Sequence, residues 1–255
     1  MTLGLPLSTM IAFLLVLARV AGLVTFLPIP GFKNAPSQIR VVLALAIAVA
    51  LFPVWPSLPN QLPPFGQLVA WALSEAAFGI VVGLAVAFLT EAFQVAAQVL
   101  GLQAGYGYAS TIDPSSQADS GVLQVLMTLF TGLLFFSSGM DRSLIRVLAA
   151  SFEKFPAGSW LPSAASLDGV LHLGAGMFSL GLRLAMPVIA LLVLIDFALA
   201  MLGRMQQQLQ LLSLAFPVKM IAALAMLTAL APVFARIFES AAGRTISALA
   251  RMAGQ

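Results

Sequence analysis

Cysteine is absent from the 255 residues, which excludes a disulfide, a thiolate metal site and any thiol chemistry. Charge is nearly as scarce: Asp, Glu, Lys and Arg make up 8% of the chain, against about 25% in an ordinary soluble domain. Histidine occurs once, at His172. It stands at the start of an apolar stretch, is expected to have no acidic partner at helical spacing, and reads as an interfacial or helix-end residue rather than a proton relay. There is no His-Glu-x-x-His, no Gly-x-Ser-x-Gly and no Walker loop. Catalytic, cofactor-binding and metal-binding functions therefore find no residues to rest on, and the chain is not expected to be an enzyme. The net charge of +3 is small and scattered, which argues against nucleic acid as a partner.

What is present is apolar. Hydrophobic residues form 61% of the chain and the mean hydropathy is +1.04. A soluble globule of this length cannot hide that much apolar surface and keep a wettable exterior. The composition predicts an all-α membrane protein, one bundle of apolar helices. Six apolar stretches stand out, at 8–27, 39–58, 68–100, 122–137, 171–203 and 214–238. Proline- and glycine-rich punctuation such as "LPIPGFKNAPSQ", "FPVWPSLPNQLPPFG" and "FPAGSWLPSAASLDG" separates them. No basic residue precedes the first stretch, and Arg19 lies inside it, so this segment is expected to be kept as a helix rather than cleaved as a signal.

Two stretches are too long. A crossing of the hydrocarbon core takes about 20 helical residues, whereas 68–100 and 171–203 would each run to roughly 50 Å. Each must kink, fold back or project into protein. Pro187 offers a kink in the second, and the first has no proline. Glu91, Gln94 and Gln98 instead place a polar stripe on one face of the first. Lys and Arg are shared so evenly between alternating loops that the positive-inside rule assigns no orientation. Gly79-xxx-Gly83 and Gly101-xxx-Gly105 are spaced for close helix approach. The chain ends in "ARIFESAAGRTISALARMAGQ", an amphipathic pattern with Ser240, Arg244, Ser247 and Arg251 opposite Phe238, Ala242, Ile246 and Leu249.

Charges inside the apolar stretches need partners. Arg19, Glu75, Arg183, Asp196 and Lys219 are such residues, with Arg204 just beyond. Arg183 and Asp196 fall on nearly opposite sides of one helix, and Asp196 and Arg204 lie roughly 12 Å apart along it. Neither pair closes within its own helix. Their partners are expected on other helices or other chains, at helix or subunit contacts, and with partners taken to lie outside the chain the isolated chain is expected to fold poorly.

Between the third and fourth stretches runs "GLQAGYGYASTIDPSSQADSG", residues 101–121. Its Gly-Tyr-Gly resembles a potassium filter triplet, but the flanking short pore helix is missing. The order of the features along the chain resembles the FliR family of flagellar export-gate proteins, whose injectisome counterpart is SctT. The likeness rests on "LARVAGLVTFLPIPG", "APSQIRVVLALAIAVAL", "GLQAGYGYASTIDPSSQADSGVL", "LRLAMPVIALLVLIDFALAMLGRM" and "LAFPVKMIAALAM" in that order. One departure concerns the turn after Arg204, where the family shows Pro-Gln and then Asn. Here "MQQQLQLLSLAFPVK" has Gln207 and Gln210 at those places.

The resemblance implies a single export-gate domain over 1–255, built of membrane-associated helical hairpins that assemble in a helical export-gate complex. It implies a subunit of the flagellar type III protein export gate, in the bacterial inner membrane at the flagellar basal body. FliP-like and FliQ-like gate subunits, an FlhB-like protein, an FlhA-like export component, exported polypeptides and membrane lipid are the implied partners, with no cofactor. It further implies that about residues 106–121 plug the channel, through Gly105, Tyr106, Gly107, Tyr108, Ser110, Asp113, Pro114, Ser115 and Gly121. The alternative is a secondary transporter or small-solute channel in which Asp196, Arg183 and Glu75 bind substrate or protons. That reading expects an internal repeat with broken helices, and no convincing repeat is found.

Overall fold

The computed structural model describes residues 6–29, 36–58, 63–106, 121–161, 164–205 and 211–252. Among them there is no strand. The helices are α1 (Leu7–Thr25), α2 (Ser37–Ala50), a 3-10 turn (Phe52–Val54), α3 (Phe65–Ala104), α4 (Val122–Ser137), α5 (Met140–Lys154), α6 (Ala164–Met205) and α7 (Leu211–Met252). Each of the six apolar stretches is carried by a helix, although the second leaves its helix at Ala50 and continues through the 3-10 turn into non-helical 55–58. The expected amphipathic C-terminal helix is the continuation of α7, with its polar line exposed and Phe238, Ala242 and Leu249 buried.

The overlong stretches are uninterrupted helices. α3 has 40 residues and α6 and α7 have 42 each, so each is about 60 Å long. α6 passes through Pro187 and α7 through Pro217 and Pro232 without ending. Among the described residues four helices are long and apolar enough to cross a membrane: α1, α3, α6 over Leu167–Met205 and α7 over Ala215–Arg251. α4 and α5 meet the same test only as a pair, bent by 61°. Gly139 makes that bend with φ +68°, a left-handed conformation that other residues avoid. α5 lies outside the six apolar stretches. It is amphipathic, burying Leu144, Val147, Leu148, Ser151 and Phe152, with Asp141 in its first turn and Lys154 in its last, matching the helix dipole.

The chain divides into two compact units. The first comprises Met1–Leu89, Phe135–Gly174 and Ala241–Gln255. Within it α1 packs on α2 and crosses α3 closely. A Cβ on Gly22 would meet the Ala76 carbonyl, one on Gly79 the Arg19 carbonyl, and one on Gly83 the Leu23 carbonyl. The Gly79-xxx-Gly83 spacing therefore does what small residues do, letting two backbones touch. The second unit comprises Thr90–Leu134 and Ala175–Ser240. There the end of α3 is the strut: Phe93 lies among Phe234 and Phe238 of α7, and Gly181 of α6 sits against Ala92 and Val95. Gln94, from the expected polar stripe, meets the Thr128 hydroxyl of α4 at 2.8 Å.

Candidate functional site

The first unit closes around Arg19. Its Nε is ion-paired with Glu75, and neither side chain exposes any surface. Nη1 donates to the Ser151 hydroxyl at 2.7 Å and Nη2 to the Phe155 carbonyl at 3.4 Å. The guanidinium also lies over the rings of Phe152 and Phe78, at 4.0 and 4.8 Å from their centroids, a placement in which ring quadrupoles attract a cation. The other oxygen of Glu75 accepts the Gly158 N–H at 2.9 Å. Next to it Ser74 donates to the Trp160 carbonyl, and Trp160 packs edge-on to Phe78. One buried ion pair thus ties α1, α3, α5 and the turn after α5 together. A buried pair with its remaining donors and acceptors engaged is costly to open, so this cluster holds these segments together.

The second unit carries another pair. Lys219 of α7 approaches both oxygens of Asp196 of α6, at 3.0 and 3.1 Å. The Gln103 amide of α3 reaches the same carboxylate at 3.5 Å. This pair is less enclosed: the Lys219 side chain is 11% exposed and that of Asp196 43%. Of the two expected places for partners, other helices or other chains, Arg19, Glu75, Asp196 and Lys219 use the first, and the expectation that they lack intrachain partners is corrected for these four. Each finds its partner on another helix of the same chain, because helix packing brings together residues distant in sequence. Arg183 and Arg204 are exposed and make no ion pair with any described residue. His172 also needs correction. Asp168 lies one turn earlier, with its carboxylate 3.4 Å from the imidazole, because α6 begins at 164 rather than 171.

The polar segment begins where α3 ends in a Schellman cap. The Tyr106 N–H returns to the Gly101 carbonyl at 3.0 Å and the Gly105 N–H to that of Leu102 at 3.2 Å. Gly105 adopts φ +83°, with the Phe216 ring filling the space where a side chain would stand. The Tyr106 hydroxyl donates to the Met220 carbonyl at 3.4 Å. Burial pushes this phenol above its usual range, so it stays a protonated donor. Gly121 precedes α4, its carbonyl accepting the Val125 N–H at 2.8 Å. Gly107, Tyr108, Ser110, Asp113, Pro114 and Ser115 lie outside the described residues. Among the described residues no group of three or more His, Asp or Glu is gathered for a metal.

Helices apolar and long enough to cross a membrane, with two ion pairs closed between them, define an all-α membrane protein. Its family follows from sequence comparison: the chain belongs to the bacterial export proteins, family 1, whose model matches residues 10–245. It is similar to the flagellar biosynthetic protein FliR of Escherichia coli K12, 30% identical over 224 residues that cover 88% of this chain and 85% of that protein. FliR of Bacillus subtilis 168 is 26% identical, with 85% and 84% covered. Surface presentation of antigens protein SpaR of Salmonella typhimurium is 27% identical, with 85% and 81% covered. The resemblance to the FliR family is thereby borne out, and the chain is a member of a family of export proteins.

Proposed function

We propose that this chain is a subunit of the flagellar type III protein export gate and forms part of its protein-conducting channel. The observation that carries the proposal is the family match across residues 10–245, which includes the polar segment and all six singled-out charges. The chain acts as one export-gate domain, since α3, α6 and α7 each contribute residues to both compact units. It works in the bacterial inner membrane at the flagellar basal body, where FliP-like and FliQ-like subunits and an FlhB-like protein surround it. An FlhA-like component hands on the exported polypeptides.

Exposed apolar side chains support such packing. Val41, Val42 and Val49 on α2, and Phe178, Leu182, Met186, Leu194 and Phe197 on α6, form surfaces for lipid or partner helices. Arg183 and Arg204 stand on α6 among them and meet partner subunits. The segment at about 106–121 plugs the channel, rooted at Gly105 and Tyr106 on one side and Gly121 on the other, with Gly107, Tyr108, Ser110, Asp113, Pro114 and Ser115 between. The test is purification of the tagged chain from its native membrane in gentle detergent. Stoichiometric recovery of FliP-like and FliQ-like chains is expected. A self-contained, partner-free chain that binds or moves a small solute would replace this reading with the transporter.

A further inference from the structure

We infer that the Asp196–Lys219 pair is a clasp that fixes the C-terminal end of α3, and the backbone leaving it, on helix α7. Three neighbouring contacts meet on the stretch 216–220 of α7. Phe216 fills the space over Gly105, Lys219 holds the Asp196 carboxylate, and Met220 accepts the Tyr106 hydroxyl. Asp196 in turn receives the amide of Gln103, the last residue but one of α3. The carboxylate therefore joins three helices: it neutralises Lys219 on α7, belongs to α6, and takes a hydrogen bond from the end of α3.

The consequence of losing Asp196 follows from the burial of its partner. Lys219 is nearly enclosed, and an ammonium left there without its carboxylate is driven toward water. Its stretch of α7 carries the contacts to Gly105 and Tyr106, so reorienting Lys219 loosens both. Replacing both charges by apolar side chains removes that drive and leaves the Phe216 and Tyr106 contacts in place, while Gln103 loses its acceptor. The clasp rests on described residues of one compact unit, and it stands whether or not the segment beyond Tyr106 is a plug.

The absence of cysteine makes a direct test clean. Cysteines replacing the exposed Leu102 and Ile221 carry spin labels on α3 and α7, and cysteines replacing the exposed Val193 and Leu224 report α6 against α7. Distance distributions are measured on the full chain, in complex with whatever copurifies. The parent is expected to give one narrow 102–221 distance. Asp196→Leu, which strands the enclosed Lys219 and takes the acceptor from Gln103, is expected to add a longer, broader population. Lys219→Leu, which leaves Gln103 its acceptor, and the Asp196→Leu/Lys219→Met double variant, which strands no charge, are expected to broaden the distance less. Gln103→Leu and Tyr106→Phe keep both charges, and are expected to broaden the 102–221 distance while leaving 193–224 unchanged. If a single charge variant broadens 193–224 too, packing of α6 on α7 has been lost and these two milder variants decide. A 102–221 distance that stays narrow in Asp196→Leu, or in both Gln103→Leu and Tyr106→Phe, overturns the clasp.

Discussion

Arg19 and Glu75, 56 residues apart in the chain, neutralise each other where neither side chain exposes any surface. Arg19 also reaches Ser151 and the Phe155 carbonyl, and Glu75 reaches the Gly158 amide. The pair therefore sets the position of the turn between α5 and α6 as well as the crossing of α1 with α3.

Removing one member should cost more than removing both. Glu75→Leu or Arg19→Leu strands a buried charge, at about 3–5 kcal/mol. In Arg19→Leu/Glu75→Leu no charge is left stranded, and the remaining loss is that of the hydrogen bonds to Ser151, Phe155 and Gly158. The expected order of thermal stability in detergent is parent, double variant, then either single variant. A double variant less stable than both singles would show that attraction, rather than the penalty of an orphaned charge, dominates at this site.

The crossing beneath that pair makes a second expectation. A side chain at Gly79 strikes the Arg19 carbonyl, which is backbone and cannot swing aside. Gly79→Ala should cost about 1–3 kcal/mol, as overpacking does. Gly176 of α6 and Gly243 of α7 have open space where a Cβ would stand, so Gly176→Ala and Gly243→Ala should stay within about 0.5 kcal/mol of the parent. Detergent melting curves of the three variants check the contrast, and equal stability of Gly79→Ala and Gly176→Ala would contradict it.

These cases show what a sequence pattern carries. Apolar length and composition marked six of the helices, and the cost of charge in lipid picked out Arg19, Glu75, Asp196 and Lys219, because both signals are local. Which charge meets which is not local. Glu75 comes to Arg19 only through the crossing at Gly22, Gly79 and Gly83, and Lys219 comes to Asp196 from the neighbouring helix. α5 was legible in principle, since Leu144, Val147, Leu148, Ser151 and Phe152 recur at helical spacing. Its few apolar residues hid it from a search for lipid-like runs. The Asp168–His172 contact is hidden for a related reason: the first turns of α6 lie in a stretch rich in serine, alanine and glycine that reads as a connector.

Gly105 offers a prediction at the root of the polar segment. Gly105→Ala puts a side chain at φ +83° and into the Phe216 ring. The left-handed conformation alone costs an ordinary residue about 1–2 kcal/mol. The Schellman cap of α3 should open, releasing the Tyr106 and Gly105 amides from Gly101 and Leu102. Hydrogen exchange at these two amides should quicken while exchange at the Arg19 cluster stays as in the parent. Unchanged protection at Tyr106 would mean that the Phe216 contact does not hold the cap.

Arg183 is exposed on α6 among Leu182, Met186 and Leu194. If it meets a partner subunit, Arg183→Glu should lower the yield of the copurified complex without lowering the amount of the chain in the membrane. Arg183→Lys should lose less, keeping the charge but not the planar fork of donors. Equal complex yields for parent and Arg183→Glu would leave this residue to lipid headgroups instead.

Deletion of residues 110–120 separates a plug from a connector. The deleted stretch is polar and short of apolar side chains, so its removal should take little from the stability of either unit. Gly105, Tyr106 and Gly121 remain to close the shortened segment. With FliP-like and FliQ-like partners present, the complex is expected in parental yield. Under the plug reading, cells carrying the deletion should admit small ions and solutes, measured as conductance or solute uptake, while cells lacking the whole complex stay tight. The combination matters: leakage without the complex would report membrane damage, and a full yield of complex in cells as tight as the parent would reduce residues 106–121 to an exposed connector. Tyr106→Ala then tests the root alone, since it removes the Met220 contact and leaves the segment its full length. An intermediate leak from Tyr106→Ala is expected if closure depends on how the segment is held as well as on its presence.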